Sequence, residues 1–531
     1  MKPLSVCLIN PKFEPSFFGF DFALPLMPGD KRCWVVTGAL PALAALAPPH
    51  CSVTLLDENV EPIDFDSLNR FDVIGVTGMI VQGDRMREIL LKLKNMHAMV
   101  AVGGPYVSVS ERTFEGLCDV RFIGEAEETW PEFLEDLAAH RPVKQCYEQP
   151  ERTDMRRVPA PRYDLVKASR YQMASLQFSR GCPFLCEFCD IITIFGRKPR
   201  AKSAQQMIEE FEGVRRAGFS RCFLVDDNFI GNKREAKTLL IALVEWQRRN
   251  DYPLQLFTEA SLDLADHPDL IDLMVEANFQ QVFIGIESPR QQSLAETRKL
   301  QNLRGDMQVK IQRVRDGGLV IQAGFIVGFD NDDERIFDEQ YEFIQRSGIA
   351  HAQVALLSPI PTTPLYDRLK AEGRLDYSDM DVVFRPKLMS RETLKRGYGD
   401  LVRRLYEPEA YFERLYTGYA GSAAFRQRRA ERDAAFAIRR GGLLALSGKL
   451  AAALQALKLA RAAARAGLLR RIVGAYWSIW RRHNVPLGRE AIPFRAFIGL
   501  CVIHWHYFNI AQGARKGTFG TVLSMPVAAA A

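Results

Sequence analysis

Ser179-Arg-Gly-Cys-Pro-Phe-Leu-Cys-Glu-Phe-Cys-Asp190 is the stretch from which the rest of the chain can be read. Its three cysteines, Cys182, Cys186 and Cys189, are spaced C-x3-C-x2-C. Three thiolates suffice to hold three irons of a [4Fe-4S] cluster, because cysteine is the usual protein ligand of such clusters. The fourth iron then has no protein ligand and stays open to a small molecule. A structural zinc site fits less well: it closes four ligands, commonly from two paired motifs, and no second pair lies nearby. The bland alternative is a trio of buried apolar thiols.

With aromatic Phe188 just before the third cysteine, the motif resembles the signature of the radical S-adenosylmethionine (SAM) superfamily. The resemblance implies that the open iron is chelated by the amino and carboxylate groups of SAM. Reductive cleavage of SAM then gives methionine and a 5′-deoxyadenosyl radical. Phe188 is expected near the adenine, although an aromatic ring there also serves as core filler.

Downstream of the cysteines, strand-like and helical runs alternate from 165 to 390. Strands are expected at 175–179, 222–225, 254–258, 281–285, 321–327 and 351–357, with helices such as 203–217 and 235–249 between them. Six such repeats suggest a partial (β/α)6 barrel, the superfamily fold, with its active site at the carboxyl ends of the strands. The distinctive sequences fall there. Val225-Asp-Asp-Asn-Phe-Ile-Gly-Asn232 follows the second strand, and in the family this place binds the SAM amino group, which makes Asp226, Asp227 and Asn228 candidates. Carboxylates suit a protonated amine; a helix N-cap is the competing reading. Glu259 ends the next strand where the family has its ribose contact, with Ser261 beside it. Gly285-Ile-Glu-Ser-Pro289 resembles the adenine-side strand, so Gly285 and Glu287 join the SAM set.

Upstream, residues 1–150 also alternate. Apolar, β-branched runs at 5–10, 53–56, 73–77, 100–103 and 120–123 read as buried parallel strands, and 84–96 and 127–139 have helical length. This order argues for a doubly wound, Rossmann-like α/β sheet with a ligand off its carboxyl edge. The loops there contain Thr77, Gly78 and Met79, then Gly103 and Gly104, then Gly124 and Glu125. Such a domain directly before the cysteine motif resembles the cobalamin-binding domain of class B radical SAM enzymes, and the resemblance makes these seven residues cobalamin candidates. The family's Asp-x-His-x-x-Gly is absent: none of the eight histidines lies in the loop after the first strand. Any cobalt would therefore lack a histidine lower ligand. Residues 151–164 read as a linker.

The segments 288–302 and 357–366 resemble a cobalamin-type subgroup that has an extra C-terminal domain and includes the hopanoid C-2 methylases. The resemblance covers roughly residues 1–420. It implies a cobalamin-dependent radical SAM methyltransferase acting on an unactivated carbon, of a lipid such as a hopanoid, with one SAM as methyl source and a second as radical source. A reductase, flavodoxin or ferredoxin would supply electrons. A non-methylating radical outcome (cyclisation, oxidation or carbon–carbon coupling) and a non-catalytic cofactor-binding sensor remain open alternatives.

Bulk composition agrees with that class. At 531 residues, 47% hydrophobic and 25% charged, the chain is expected to form several globular domains. Ten cysteines in so long a chain suggest no disulfide framework and, with an oxygen-sensitive cluster, favour a reducing cytoplasm. No secretory leader and no membrane-spanning run is read. Residues 391–531 are helical in pattern and basic. Residues 425–482 hold fourteen Lys or Arg against Glu431 and Asp433, a net +12, while the whole chain carries only +6. Basic amphipathic helices beside Trp477 and Trp480 read as a peripheral membrane contact at the inner face, with a solvated bundle face as the alternative. Nucleic acid is not an expected partner, because no RNA-binding motif accompanies the arginines.

Overall fold

The computed structural model describes residues 2–440, 443–488 and 491–516. In chain order its first strands are β1 (Leu4–Asn10), β2 (Cys33–Val35), β3 (Cys51–Asp57), β4 (Val73–Thr77), β5 (Met99–Gly103), β6 (Val120–Ile123) and β7 (Cys146–Glu148). Then come β8 (Tyr171–Leu176), β9 (Ser179–Arg180), β10 (Arg200–Ala201), β11 (Arg221–Leu224) and β12 (Gln255–Ala260). The last are β13 (Phe279–Glu287), β14 (Val320–Val327) and β15 (His351–Leu356).

The first sheet has the order β3-β1-β4-β5-β6-β7 and is parallel throughout. β4 is buried along its whole length and β1 nearly so, which is why both read as unbroken apolar runs rather than alternating ones. Met86, Ile89 and Leu90 of the helix Gly83–Leu93 cover one face. Trp130, Phe133 and Leu134 of the helix Thr129–Ala138 cover the other. The strand order reverses between β1 and β4, so the crevice of this doubly wound fold opens above their carboxyl ends.

The second sheet runs β15-β14-β13-β12-β11-β8-β2, again parallel. Along β11, β12, β13 and β14 the burial alternates. Cys222, Leu256, Val282 and Phe325 face the helical jacket and share its core. Their neighbours Phe223, Phe257, Phe283 and Gly324 line the inner face. Helix starts follow local chemistry: Ser203 and Gln206 form a capping box for Ala204–Arg216, and Asn232 caps Lys233–Arg249.

Three features go beyond the sequence expectation. β2 leaves the first 150 residues to pair with β8, Cys33 opposite Tyr171. The segment before it is aromatic, and it buries Phe17 and Phe20 against Tyr406, His506 and Tyr507 rather than in the first sheet. The stretch 151–164, read as a linker, carries buried residues: Met155 and Tyr163 are buried, and the Tyr163 hydroxyl accepts a 2.9 Å hydrogen bond from Ser175 N. Beyond residue 390 the described residues are helical, yet they share one core with the barrel. There the fully buried Arg414 donates to the Ile349 and Ala350 carbonyls at 3.0 and 3.1 Å, which satisfies a guanidinium without a carboxylate.

Candidate active site

β9 and β10 form an antiparallel pair just beyond the carboxyl end of β8, and the loop they support carries all three cysteines. Gly181 begins it at φ +95°; a Cβ there would stand 2.8 Å from the Gly196 carbonyl, so only glycine fits. Asp227 accepts from Gly181 N at 2.7 Å. Asp226 accepts from Phe178 N, Ser179 N and the Ser179 hydroxyl at 2.8, 2.9 and 2.6 Å. Both carboxylates are thus spent on the backbone that enters the loop. Neither caps the following helix, a task that falls to Asn232. Farther along the loop, Glu187 N donates to Thr297 O at 2.9 Å and Glu187 O accepts from Leu365 N at 3.0 Å.

Cys186 is buried, and Cys182 and Cys189 are half-buried. Burial pushes the Cys182 and Cys189 thiols up, and charge on neighbouring Cys186 adds to it, while Lys299 pulls both down. Among the described residues no three Cys, His, Asp or Glu side chains are gathered tightly enough to share one metal ion. A single tetrahedral zinc would need sulfurs within about 4 Å of one another, at Zn–S bonds of about 2.3 Å. A cluster instead spreads three thiolates over three irons, which fits three cysteines carried on one loop.

The other candidates divide into two groups. Asn228 hydrogen-bonds the Cys182 thiol, donates to the Ser261 hydroxyl at 3.0 Å and accepts from Ser261 N at 3.2 Å. Ser261 in turn donates to Asp263. Glu259 lies on the inner face of β12, and no hydrogen bond to its carboxylate is seen among the described residues. Burial, then the charges of Asp227 and Asp226, push its carboxyl up to about 8. Glu287 sits at φ +66°, a strained conformation for a side-chain-bearing residue, where the β13–β14 register shifts. Its carboxylate meets Lys299 Nζ at 2.7 Å. Gly285 lies under that pair: a Cβ there would come within 2.8 Å of Lys299 Nζ.

Lys299, Gln301 and Asn302 are the residues that the sequence reading passed over. Lys299 is enclosed, and although burial opposes its charge, Glu287 and the Cys186 and Cys189 thiols hold its pKa above the ordinary lysine value. Its ammonium stands 5.9 Å from the Phe188 ring centroid. Gln301 Nε2 donates to Cys186 Sγ at 3.7 Å, and Asn302 Nδ2 donates to the Gly285 and Ile286 carbonyls at 3.0 Å. The only signal was an unusually polar run after Glu287.

The first sheet turns its own carboxyl edge toward this loop. Ile194, five residues past Cys189, packs with Ile123 and Ile360 on the first-sheet core. Glu125 is buried and accepts from Arg180 and Arg200, both at 2.9 Å, and from Thr153 N at 2.8 Å. It therefore braces the first sheet against the β9–β10 pair instead of facing a ligand. Thr77, Gly78, Gly103 and Gly104 converge above β4 and β5: Gly104 has φ +100°, and a Cβ on it would stand 2.5 Å from Thr77 Oγ1 and 3.2 Å from Gly78 N. Gly124, at φ +73°, has open space where a side chain would be, and Met79 is exposed. These loops leave backbone, not side chains, toward a ligand. The loop after β1 supplies no histidine.

The Glu125 brace should be felt when broken. Glu125→Ala leaves Arg200 enclosed without its carboxylate and is expected to cost about 3 kcal/mol, read as a lowered denaturation midpoint; an unchanged midpoint would mean water replaces the pair.

The radical SAM superfamily model matches residues 176–344, and a domain of unknown function, DUF4070, matches 363–518. The uncharacterized methyltransferase sll1242 of Synechocystis is 38% identical over 417 residues, 77% of this chain and 77% of that protein. The hopanoid C-2 methylase of Rhodopseudomonas palustris is 34% identical over 413 residues, 77% of this chain and 78% of that one. Among solved structures, the cobalamin-dependent S-adenosylmethionine radical enzyme OxsB, with aqua-cobalamin and S-adenosylmethionine bound, superposes with a TM-score of 0.59 at 16% identity, over 82% of this chain and 71% of that one. That likeness is one of fold. With its cysteine loop at the barrel mouth, and 38% and 34% identity to these two proteins along three quarters of its length, the chain belongs to the radical SAM superfamily, in the methyltransferase family that contains the hopanoid C-2 methylase.

Proposed function

We propose that the chain is a cobalamin-dependent radical SAM methyltransferase that methylates an unactivated carbon of an apolar, lipid-like substrate. The observation that carries this reading is that the glycine-rich edge of the first sheet and the cysteine loop face each other, braced by Glu125. When bound, the cluster and SAM supply the substrate-activating radical and cobalamin supplies the methyl group. Cys182, Cys186 and Cys189 anchor the cluster, and Asp226 and Asp227 set the loop that presents them. Asn228, Glu259 and Gly285 face SAM, with Ser261 orienting Asn228 and Glu287 held back by Lys299. Thr77, Gly78, Met79, Gly103, Gly104 and Gly124 form the backbone floor for the corrin.

Support for an apolar substrate comes from the inner face of the barrel. Phe223 stacks on Phe257 at 4.6 Å, and the exposed Phe18 reaches Phe283 at 6.0 Å. Aromatic walls exclude water from a radical and offer a large apolar contact area. A flavodoxin- or ferredoxin-type donor would supply the electron. The test is anaerobic turnover with methyl-labelled SAM and lipid extract, alongside the lipid profile of a deletion strain. Labelled lipid supports the reading, whereas 5′-deoxyadenosine released without methyl transfer would favour another radical outcome, and no SAM cleavage a sensor.

The C-terminal helices suit a membrane surface. Leu450, Leu454 and Leu457 are 65, 52 and 46% exposed at helical spacing. Leu469, Val473 and Trp477 repeat the pattern on the helix Leu469–Ile479 at 42, 39 and 60%. Arg461, Arg465, Arg470, Arg481 and Arg482 are exposed beside them. Trp480, expected at the surface, instead packs against Phe494 and Phe497 at 5.3 and 4.9 Å, because the π-turn Trp480–Asn484 rotates it inward. No helix among the described residues is long and apolar enough to cross a membrane. Binding to anionic vesicles is expected at low salt, with a steep fall as salt rises. Neutralising Arg470, Arg471, Arg481 and Arg482 together should weaken it several-hundredfold, at about 1 kcal/mol per basic side chain. Indifference to anionic vesicles at low salt would leave this face a solvated one.

A further inference from the structure

At the opposite end of the barrel from the cysteine loop, where β8, β11 and β12 begin, a cavity of about 260 Å³ is lined by Lys31, Tyr171, Gln172, Ser220, Arg221, Gln255 and Arg495, together with Gly218 and Phe219. None of these residues is acidic. Among the described residues Lys31 Nζ donates only to the Ala168 carbonyl at 3.3 Å, and Arg221 Nε only to Gln255 Oε1 at 3.1 Å. Among the described residues no carboxylate lies within ion-pair distance of Lys31, Arg221 or Arg495. Other enclosed cations of this fold are either paired with a carboxylate, as with Lys202–Glu210 and Lys299–Glu287, or, like Arg414, bound to several carbonyls.

Like charges held together without a counter-ion carry an electrostatic cost that a bound anion removes. Burial lowers the pKa of both Lys31 and Arg221, and Arg221 repels Lys31 further. Two guanidinium forks and an ammonium match the oxygens of a phosphate, which they engage through charge-assisted hydrogen bonds. Gln172, Ser220 and Gln255 add neutral polar groups to the lining. Arg495 lies in the first turn of Phe494–Lys516, and the neighbouring Phe494 is exposed and packs on Trp480, in continuity with the apolar C-terminal face.

We propose that this cavity is a phosphate-binding site, taking inorganic phosphate or the phosphate headgroup of a lipid at the membrane face. It is remote from the cysteine loop, so cluster assembly should be indifferent to it, and its failure is distinguishable from that of the methyltransferase reading.

The test uses the full chain at constant ionic strength, with inorganic phosphate, glycerol phosphate and soluble dihexanoyl phosphatidic acid as probes and chloride as control. Saturable phosphate binding by calorimetry is expected, weakened about tenfold or more for each cation removed in Lys31→Gln, Arg221→Gln and Arg495→Gln. The charge-keeping pair Lys31→Arg with Arg221→Lys should retain it. Arg495→Gln alters one exposed helix residue and carries the test even where Arg221→Gln fails to fold. Phosphatidic acid binding well above glycerol phosphate identifies the lipid source; equal affinities identify free phosphate. Phosphate that binds no better than chloride, or folded glutamine variants that bind like the wild type, would overturn the proposal.

Discussion

Cys186→Ala is expected to abolish the intact cluster, and Cys182→Ala and Cys189→Ala to do the same. Each thiolate is one of only three protein anchors; with one removed, a second iron is left without a protein ligand and no spare cysteine lies on the loop. Anaerobically reconstituted wild-type protein should carry about four irons per chain. The variants should lose the charge-transfer absorption of the cluster and all SAM cleavage. Cys7, Cys33, Cys51, Cys118, Cys146, Cys222 and Cys501 should be dispensable for it. The loop itself should survive, because its shape rests on Asp226, Asp227, Gly181 and Thr297 rather than on the sulfurs. A variant that is unfolded, rather than folded and cluster-free, would place the cysteines in the core instead. A fully assembled cluster in Cys186→Ala would falsify the assignment outright.

The second large effect is a loss of stability at alkaline pH in the cofactor-free protein. Burial pushes the carboxyls of Asp227, Asp226 and Glu259 up to about 6, 7 and 8; the charge of Asp227 adds to the rise of Asp226, and the charges of both aspartates to that of Glu259. In the unfolded chain such groups titrate near 4. The folded state therefore holds protons that the unfolded state has already released. Stability from this source is fully present below about pH 4 and drains away as pH rises through 8. Glu259 alone accounts for something on the order of 3–5 kcal/mol, at about 1.4 kcal/mol per unit. Glu259→Gln should accordingly flatten the profile and stabilise the cofactor-free protein at pH 9, read from denaturation midpoints across pH. Cationic SAM favours the ionised carboxylate, so its affinity should rise with pH up to about 8 in the wild type and less so in Glu259→Gln. Identical pH slopes for the two proteins would show that Glu259 is solvated rather than enclosed.

Glu259 also marks the boundary between what was legible in the chain and what was not. Its position at the end of a strand follows from local periodicity, since each strand alternates inner and outer residues. Its lack of a partner does not, because that depends on where Asp226 and Asp227 spend their hydrogen bonds. The same holds for Glu125 and Glu287. Glu125 lies in a strand-end loop and Glu287 ends β13, yet one is taken by Arg180 and Arg200 and the other by Lys299. Each pairing joins residues that no local pattern relates.

The sequence by itself determined the three-cysteine loop, the two alternating α/β regions and the helical, basic C-terminal part. Ligand spacing, strand alternation and charge density are written in contiguous residues and survive without knowledge of the fold. Only the tertiary structure decided that β2 belongs to the barrel sheet, that the carboxyl edges of the two sheets face each other, that Lys299 stands between Glu287 and the thiols, and that Lys31, Arg221 and Arg495 share a cavity without an acid. These are questions of desolvation and charge pairing, and they are settled by neighbours tens to hundreds of residues apart, which a reading along the chain does not bring together.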